Sequence, residues 1–243
     1  MIFILRTILT CIFGIIICLF GSIFCLFNPR NPKNVARFAH MFGRFLAPVF
    51  GIKVITRVYP DIEKRGSCIY IANHQNNYDL IVAASIVQPK TVTVGKKSLV
   101  WIPFFGQLYY LTGNILIDRD NKSKARDTIG QVVKEIKHKQ ISIWMFPEGT
   151  RSRGRGLLPF KAGAFKAAIA AGVPVVPICV SETNSIKIGR WNNGHRLVEM
   201  LEPIETTGMH KEDARELMDR CYQMMSEKIA QLNAEAQQMD QKK

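Results

Sequence analysis

The hydrophobic pattern divides the chain into three unlike stretches. From Thr7 to Phe27 there is no charged residue, and a helix over this run is about 30 Å long, enough to cross the hydrocarbon core of a bilayer. A cleaved signal peptide beginning at Arg6 is the competing reading. The run exceeds a usual signal core, however, and no A-x-A-like site follows it, so a membrane anchor is expected. Within the run Cys11, Gly14, Cys18, Gly21 and Cys25 follow at steps of three and four, a stripe of small residues on which a second helix can approach closely. Two Asn-Pro steps, Asn28-Pro29 and Asn31-Pro32, then stop the helix.

A second helical pattern runs from Asn34, read as its N-cap, to Phe50. Arg37, His40 and Arg44 share one face, and Phe38, Met41, Phe42, Phe45, Leu46 and Val49 cover much of the rest. This is a basic amphipathic helix, suited to the membrane interface or, alternatively, to the surface of the domain core. From Ile52 the pattern changes to short apolar runs separated by helical ones. Strands are predicted at 52–58, 68–72, 91–94, 114–117, 141–145, 174–180 and 196–201, with helices clearest at 79–87, 122–139 and 161–171 and a long polar helix over 211–238. Apolar strands alternating with helices predict an α/β fold: a mixed or largely parallel sheet flanked by helices. With no internal repeat or low-complexity linker, the expected organisation is an N-terminal membrane-associated helical hairpin over 1–50 and one α/β domain with its C-terminal helix over 51–243.

The net charge of +14 admits nucleic acid, anionic membrane lipids or a phosphorylated substrate as partner. Its location narrows the choice. Arg30, Lys33, Arg37, Arg44, Lys53 and Arg57 lie between Asn28 and Tyr59, where there is no acidic residue. A basic block directly after an anchor reads as a cytoplasmic, lipid-facing surface, which would leave Arg6 and the N-terminus across the membrane. No nucleic-acid-binding motif accompanies the charge, so no nucleic-acid partner is expected. Cys11, Cys18 and Cys25 lie in the apolar run and Cys68 and Cys179 in strand patterns. That placement predicts free thiols in a reducing compartment, and without a CxxC or Cys/His cluster no metal site is expected.

Candidate chemistry begins where the strand Cys68–Ala72 ends, in Asn73-His74-Gln75-Asn76-Asn77-Tyr78-Asp79. On one helix His74 and Asp79 would be about 140° apart and could not meet. They meet if His74 lies on the strand-to-helix turn and Asp79 on the first helical turn. Asp79 then accepts the Nδ1 proton and leaves Nε2 free as a general base, a task suited to imidazole near neutral pH. A His-Asp pair that merely ties a loop is the alternative. A second strand pattern breaks at Phe146-Pro147-Glu148-Gly149-Thr150-Arg151-Ser152. Arg151 can there bind phosphate bidentately, with Glu148 on a substrate hydroxyl or on Arg151 itself; a structural salt bridge in a turn is the alternative. Cys68 as a covalent nucleophile is weak, because the extended residues between it and His74 span about 20 Å. Lys96, Lys97, Lys161, Arg153 and Arg155 are further cations that could meet phosphates or an acidic protein face, with a solvated loop the favoured reading for Arg153 and Arg155. His40, His138, His195 and His210 lack a carboxylate at a telling spacing.

The two pieces resemble the signature motifs of the glycerolipid acyltransferases. Gly113-Asn114-Ile115-Leu116-Ile117-Asp118-Arg119 and Val173-Pro174-Val175-Val176-Pro177-Ile178 are similar to two further blocks of that family, in the right order. The resemblance covers roughly residues 30 to 205. It implies that His74 is the base, Asp79 its orienting partner, and that Arg119, Glu148, Gly149 and Arg151 bind the glycerol phosphate. The short chain and single membrane element fit the branch acting on lysophosphatidate better than the much larger glycerol-3-phosphate enzymes. The implied reaction moves an acyl group from acyl-CoA or acyl carrier protein to the 2-hydroxyl of 1-acylglycerol-3-phosphate, giving phosphatidate at the cytoplasmic face of the bacterial inner membrane. No cofactor is implied. Another lysophospholipid, or glycerol-3-phosphate, is the alternative acceptor. A hydrolase reading lacks a Gly-x-Ser-x-Gly elbow, and a non-enzymatic membrane-binding protein leaves the paired motifs unexplained.

Overall fold

A computed structural model describes residues 1–117 and 124–242. Its centre is a seven-stranded sheet in the order β1-β7-β6-β2-β5-β3-β4. The strands are β1 (Ile52–Arg57), β2 (Ile69–Ala72), β3 (Thr91–Lys96), β4 (Ile115–Ile117), β5 (Ser142–Met145), β6 (Val175–Val180) and β7 (Gly194–Met200). Every pairing is parallel except β6 with β7. The central strands β2 and β6 are buried throughout, as a sheet covered on both faces requires, and they therefore read as unbroken apolar runs.

Side chains alternate between two cores. Ile69, Ile71 and Cys179 point into a cluster with Val132 and Ile136 of α5 (Lys124–Lys139), Phe165 of α6 (Gly163–Ala171) and Met225 of α7 (Ala214–Gln241). Tyr70, Ala72, Ile178 and Val180 point the other way, into a cluster with Ile17, Phe38, Phe42, Ile81 and Leu108. The latter come from α1 (Ile2–Leu26), α2 (Lys33–Val49), α3 (Asp79–Val82) and α4 (Phe105–Leu111). Burying a Phe such as Phe38 or Phe42 stabilises this layer by roughly 1.5–3 kcal/mol.

Boundaries differ from the sequence expectation in a few places. The predicted helix at 79–87 is one α-turn, α3, followed by a 3₁₀ turn at Ala83–Ile86. The C-terminal helix starts with a 3₁₀ turn at Lys211–Asp213 and continues to Gln241. Helix α4 and the 3₁₀ turns at Ile62–Arg65 and Lys97–Trp101 were not expected. Helix α2 starts at Lys33, whose N–H is taken by Asn31 Oδ1 at 3.0 Å. Asn34 is not its cap; it is buried and donates to Cys25 Sγ at 3.4 Å.

The N-terminal hairpin corrects two expectations. The apolar face of α2 is covered by the protein's own core, not left for lipid: Phe38, Phe42 and Leu46 are buried in the cluster that contains Trp144 and Val198. The basic residues Lys33, Arg37 and Arg44 remain on the outside. Arg6 is buried and donates to the backbone carbonyls of Ile188 and Trp191, both at 2.8 Å, and to that of Arg190. It therefore lies on the same side of any membrane as the α/β layer, and the charge argument that put it across the bilayer fails. Farther along α1, Cys18, Gly21 and Cys25 of the small-residue stripe face α2 and α4. A Cβ on Gly21 would stand 2.7 Å from Leu108 Cδ1 and 2.9 Å from Phe38 Cε1, so a larger residue would push these side chains aside. Held near both ends, α1 runs along the domain for about 37 Å. It is nonetheless the one described helix long and apolar enough to cross a membrane.

Candidate active site

Three neighbouring parallel strands, β5, β2 and β6, end at one edge of the sheet, where open α/β folds place their ligands. The chain leaving β2 is clamped there by side chains acting as extra strand partners. Asn73 Nδ2 donates to Val180 O at 2.9 Å and its Oδ1 accepts Val180 N–H at 2.8 Å. Gln75 Nε2 donates to Ser181 O, and its Oε1 accepts the N–H of Thr183, both at 2.9 Å. The turn between β2 and α3 is thereby fixed before any catalytic group is considered.

That turn brings His74 and Asp79 together. His74 Nδ1 lies 2.7 Å from Asp79 Oδ2. The same oxygen accepts the backbone N–H of Gln75 at 2.6 Å and of Asn76 at 3.1 Å, and Oδ1 accepts Thr183 Oγ1–H at 3.3 Å. Asp79 is only 3% exposed, so its charge is held by protein donors instead of water, and charge-assisted bonds of this kind are the strong ones. A carboxylate that accepts from Nδ1 leaves Nε2 as the basic nitrogen. No hydrogen bond engages Nε2 among the described residues. The ring lies flat on Phe146, centroids 4.0 Å apart with 17° between planes, which fixes its remaining rotation.

The turn after β5 is stitched to the first. Glu148 Oε1 accepts His74 N–H at 2.6 Å and Oε2 accepts Leu158 N–H at 2.9 Å. Ser152 N–H donates to His74 O at 2.8 Å and Arg153 N–H to Gln75 O at 3.0 Å. Glu148 is buried, and burial raises its carboxyl above the ordinary range against the lowering pull of the His74 and Leu158 amides. Its visible work is to tie the two turns together; it does not pair with Arg151. The exposed Arg151 pairs with no carboxylate among the described residues, so its guanidinium is open to an anion. Gly149 has φ +71, and a Cβ there would meet Lys161 Nζ at 2.8 Å. The left-handed backbone favours glycine there, and the Lys161 ammonium crosses the turn beside Arg151's segment. Arg119 lies outside the described residues. Cys68 sits at the opposite end of β2, buried, with burial pushing its thiol up to about 11, which leaves little thiolate for nucleophilic attack. All six cysteines are free.

Helix α7 supports the turn after β5 and the segment after β6 from behind. Tyr222 OH donates to Leu157 O at 3.1 Å, and Asn233 Oδ1 accepts the Glu182 N–H at 2.6 Å. A polar cavity of about 150 Å³ lies on this far side, lined by Asn73, Gln75, Glu148, Ser152, Glu182 and Asn233 among others. His74 is not among its lining residues. Sequence reasoning missed Thr183 and Gln75 as partners of Asp79. Gln75 is inside the recognised motif, but Thr183 is more than a hundred positions away and carries no local signal. Reasoning from spacing also missed the carboxylate facing His195, which is Asp240 of α7, 2.7 Å from its Nδ1.

A three-layer α/β sandwich holds a histidine–carboxylate pair and an open arginine at the sheet's carboxyl edge, groups that together can move a proton beside a bound anion. A family model described as Acyltransferase matches residues 53–181, a span that contains both turns. A protein of Salmonella typhimurium called 1-acyl-sn-glycerol-3-phosphate acyltransferase is 61% identical over 236 residues, covering 97% of this chain and 96% of that protein. One of the same name from Haemophilus influenzae is 52% identical over 207 residues, covering 85% and 86%. The chain belongs to this acyltransferase family. The crystal structure of the 1-acyl-sn-glycerophosphate acyltransferase of Thermotoga maritima matches the fold with a TM-score of 0.67 at 23% identity, over 92% of this chain and 97% of that one.

Proposed function

We propose that this protein transfers a fatty acyl group from an acyl thioester to the 2-hydroxyl of 1-acylglycerol-3-phosphate, producing phosphatidate for phospholipid synthesis. The observation that carries the reading is the 2.7 Å His74–Asp79 bond with Nε2 unpaired among the described residues, on a turn hydrogen-bonded to the segment that bears Arg151. The names of the relatives support the acceptor.

In this reading His74 Nε2 takes the proton of the 2-hydroxyl as the oxygen attacks the thioester carbonyl. The tetrahedral oxyanion then collapses, the C–S bond breaks, and the imidazolium returns its proton to the departing thiolate. Asp79 keeps the ring in the tautomer the first step needs and stabilises the imidazolium between the two. The thioester is already activated, so neither a covalent nucleophile nor a cofactor is required. Arg151 and Arg119 bind the phosphate of the acceptor, a charge-assisted contact suited to the planar guanidinium. Glu148 and Gly149 shape that subsite, Glu148 by holding the His74 amide and Gly149 by leaving room for Lys161. The donor is acyl-CoA or acyl carrier protein, and the enzyme works at the cytoplasmic face of the inner membrane, where such thioesters are made.

A donor-by-acceptor activity matrix on the purified protein in lipid tests the assignment. Phosphatidate should form only when a thioester and lysophosphatidate are both present. Release of free fatty acid without acceptor would make the protein a hydrolase, and acylation of a different lysophospholipid in preference would move the acceptor assignment.

A further inference from the structure

The segment between the 3₁₀ turn at Lys97–Trp101 and α4 has a fixed backbone and apolar side chains that face outward. Trp101 is 84% exposed, and Ile102, Phe104 and Tyr110 lie between 43% and 45%. The backbone is tied by Ile102 N–H to Leu99 O at 3.2 Å, and by Phe105 N–H to Pro103 O and Gly106 N–H to Ile102 O, both at 2.7 Å. Phe104 adopts φ 63 and ψ −50, a strained conformation that a bulky L-residue rarely takes. A strained backbone that exposes a Trp, an Ile and a Phe is unfavourable in water unless something other than water covers them.

The surroundings say what covers them. Helix α4, which begins at Phe105, packs on α1 through the Gly21–Leu108 approach. The wedge is thus joined to a helix whose Leu19, Phe20 and Ile23 are 46%, 52% and 59% exposed. Cations border the joined surface: Arg30 lies 5.5 Å from the Tyr110 ring centroid and Arg37 4.8 Å from that of Phe24, and Lys97 is exposed at the base of the wedge. Residues 1–60 and 80–117, which build this face, contain no Asp or Glu. An apolar surface rimmed by cations alone matches the interface of a bilayer that carries anionic lipid.

We infer that Trp101–Phe104 is a second membrane-insertion element, separate from α1, that seats the protein on an anionic bilayer. The wedge follows β3, whose carboxyl end lies at the same sheet edge as that of β2, with only β5 between them. Two strand spacings are about 10 Å. Insertion of the wedge therefore brings the His74 edge to the lipid surface, where a lysophospholipid resides. The inference extends the proposed function to the delivery of its acceptor, but its test does not depend on any chemistry at His74.

The test uses the full chain with Trp144→Phe and Trp191→Phe, leaving Trp101 as the sole tryptophan, on vesicles of phosphatidylethanolamine and phosphatidylglycerol. With brominated acyl chains its emission should fall at least about twofold relative to unbrominated vesicles, because bromine quenches only at acyl-chain depth. It should also be protected from aqueous acrylamide. If that double variant does not fold, wild-type protein and Trp101→Phe are compared instead, and the single substitution should remove most of the bromine-quenched emission. Unchanged emission with brominated lipid, in a protein still bound through α1, would overturn the inference. So would protection that appears only with an acidic carrier protein, or only as protein concentration rises without vesicles; these outcomes would make the patch a protein-docking or self-association surface. Bromine quenching in a protein that makes no phosphatidate would retire the proposed function and leave the wedge standing.

Discussion

Two loops at the same edge of the sheet are built on opposite principles. Asp79, at the end of the first, is buried and accepts from His74 Nδ1, Gln75 N–H, Asn76 N–H and Thr183 Oγ1. Trp101, in the second, is 84% exposed on a backbone that is held while its side chain is not. The first loop over-determines one geometry, which proton transfer needs because small displacements of the reacting groups cost large factors in rate. The second leaves unfavourable surface in water, which makes sense only if water is not its working solvent. Substitutions in the first should alter chemistry and leave lipid binding alone; substitutions in the second should do the reverse.

The largest expected effect on the first loop, after loss of the base itself, comes from Asp79→Asn. The amide turns an NH₂ toward donors and cannot stabilise the imidazolium, so kcat should fall by about 10²–10⁴-fold, with vesicle partition unchanged. Because His74 and Asp79 act as a unit, adding His74→Ala should cost little more. An additive double variant would separate the two residues.

Arg151→Ala should mainly raise KM for lysophosphatidate. Losing a charge-assisted bond worth about 1.5–3 kcal/mol predicts roughly a 10- to 150-fold lower kcat/KM, with a smaller change in donor KM. Unaltered acceptor kinetics in a folded variant would remove Arg151 from the site.

Glu148→Gln leaves one of two buried amides without its acceptor and should destabilise the fold by about 1–3 kcal/mol near neutral pH, read by chemical denaturation. The pH dependence has a defined sign. Burial raises the folded-state carboxyl, so the folded state holds more proton than the unfolded one between the two values. This group's stability contribution is full below the unfolded value of about 4.3 and is lost as pH rises through the raised folded value. The wild-type-minus-variant stability curve should therefore decline with pH across that window. A rising difference curve would contradict the buried placement.

The smallest effect belongs to Thr183→Val, which deletes a single bond to Asp79 at 3.3 Å and keeps the side-chain shape. At 3.3 Å this bond is the longest of the four that Asp79 accepts, so it contributes only about 0.5–1.5 kcal/mol, and kcat should fall roughly 2- to 12-fold, with the loss confined to kcat and KM held. A change in KM alone would mean that Thr183 touches substrate instead of supporting Asp79.

What the sequence made legible follows from physics that is local. The central strands were readable because a sheet covered on both faces turns them into short apolar runs, and the helices α5, α6 and α7 because their periodicity is regular. The meeting of His74 with Asp79 was readable because a strand-to-helix turn is the only local way to join residues at that spacing. The unread parts depend on partners distant in sequence. Arg6 finds the carbonyls of Ile188 to Trp191, and Thr183 reaches Asp79 across more than a hundred residues. The apolar face of α2 looked ready for lipid, because its pattern does not say whether lipid or Tyr70, Trp144 and Val198 will cover it. Helix α4, with Gly106 and three aromatic residues in one short stretch, carries weak intrinsic preference and forms because α1 packs on it.

The central claim is that His74 takes the acceptor's proton in a direct attack on the thioester. The most direct measurement is single-turnover phosphatidate formation by wild-type and His74→Ala protein on the same vesicles, with saturating labelled donor and lysophosphatidate. The rate in the variant should fall by at least about 10²-fold, with fold and vesicle partition unchanged and no labelled protein accumulating in either form before acceptor is added. A variant that turns over near the wild-type rate, or a stoichiometric acyl-enzyme formed from donor alone, would contradict it.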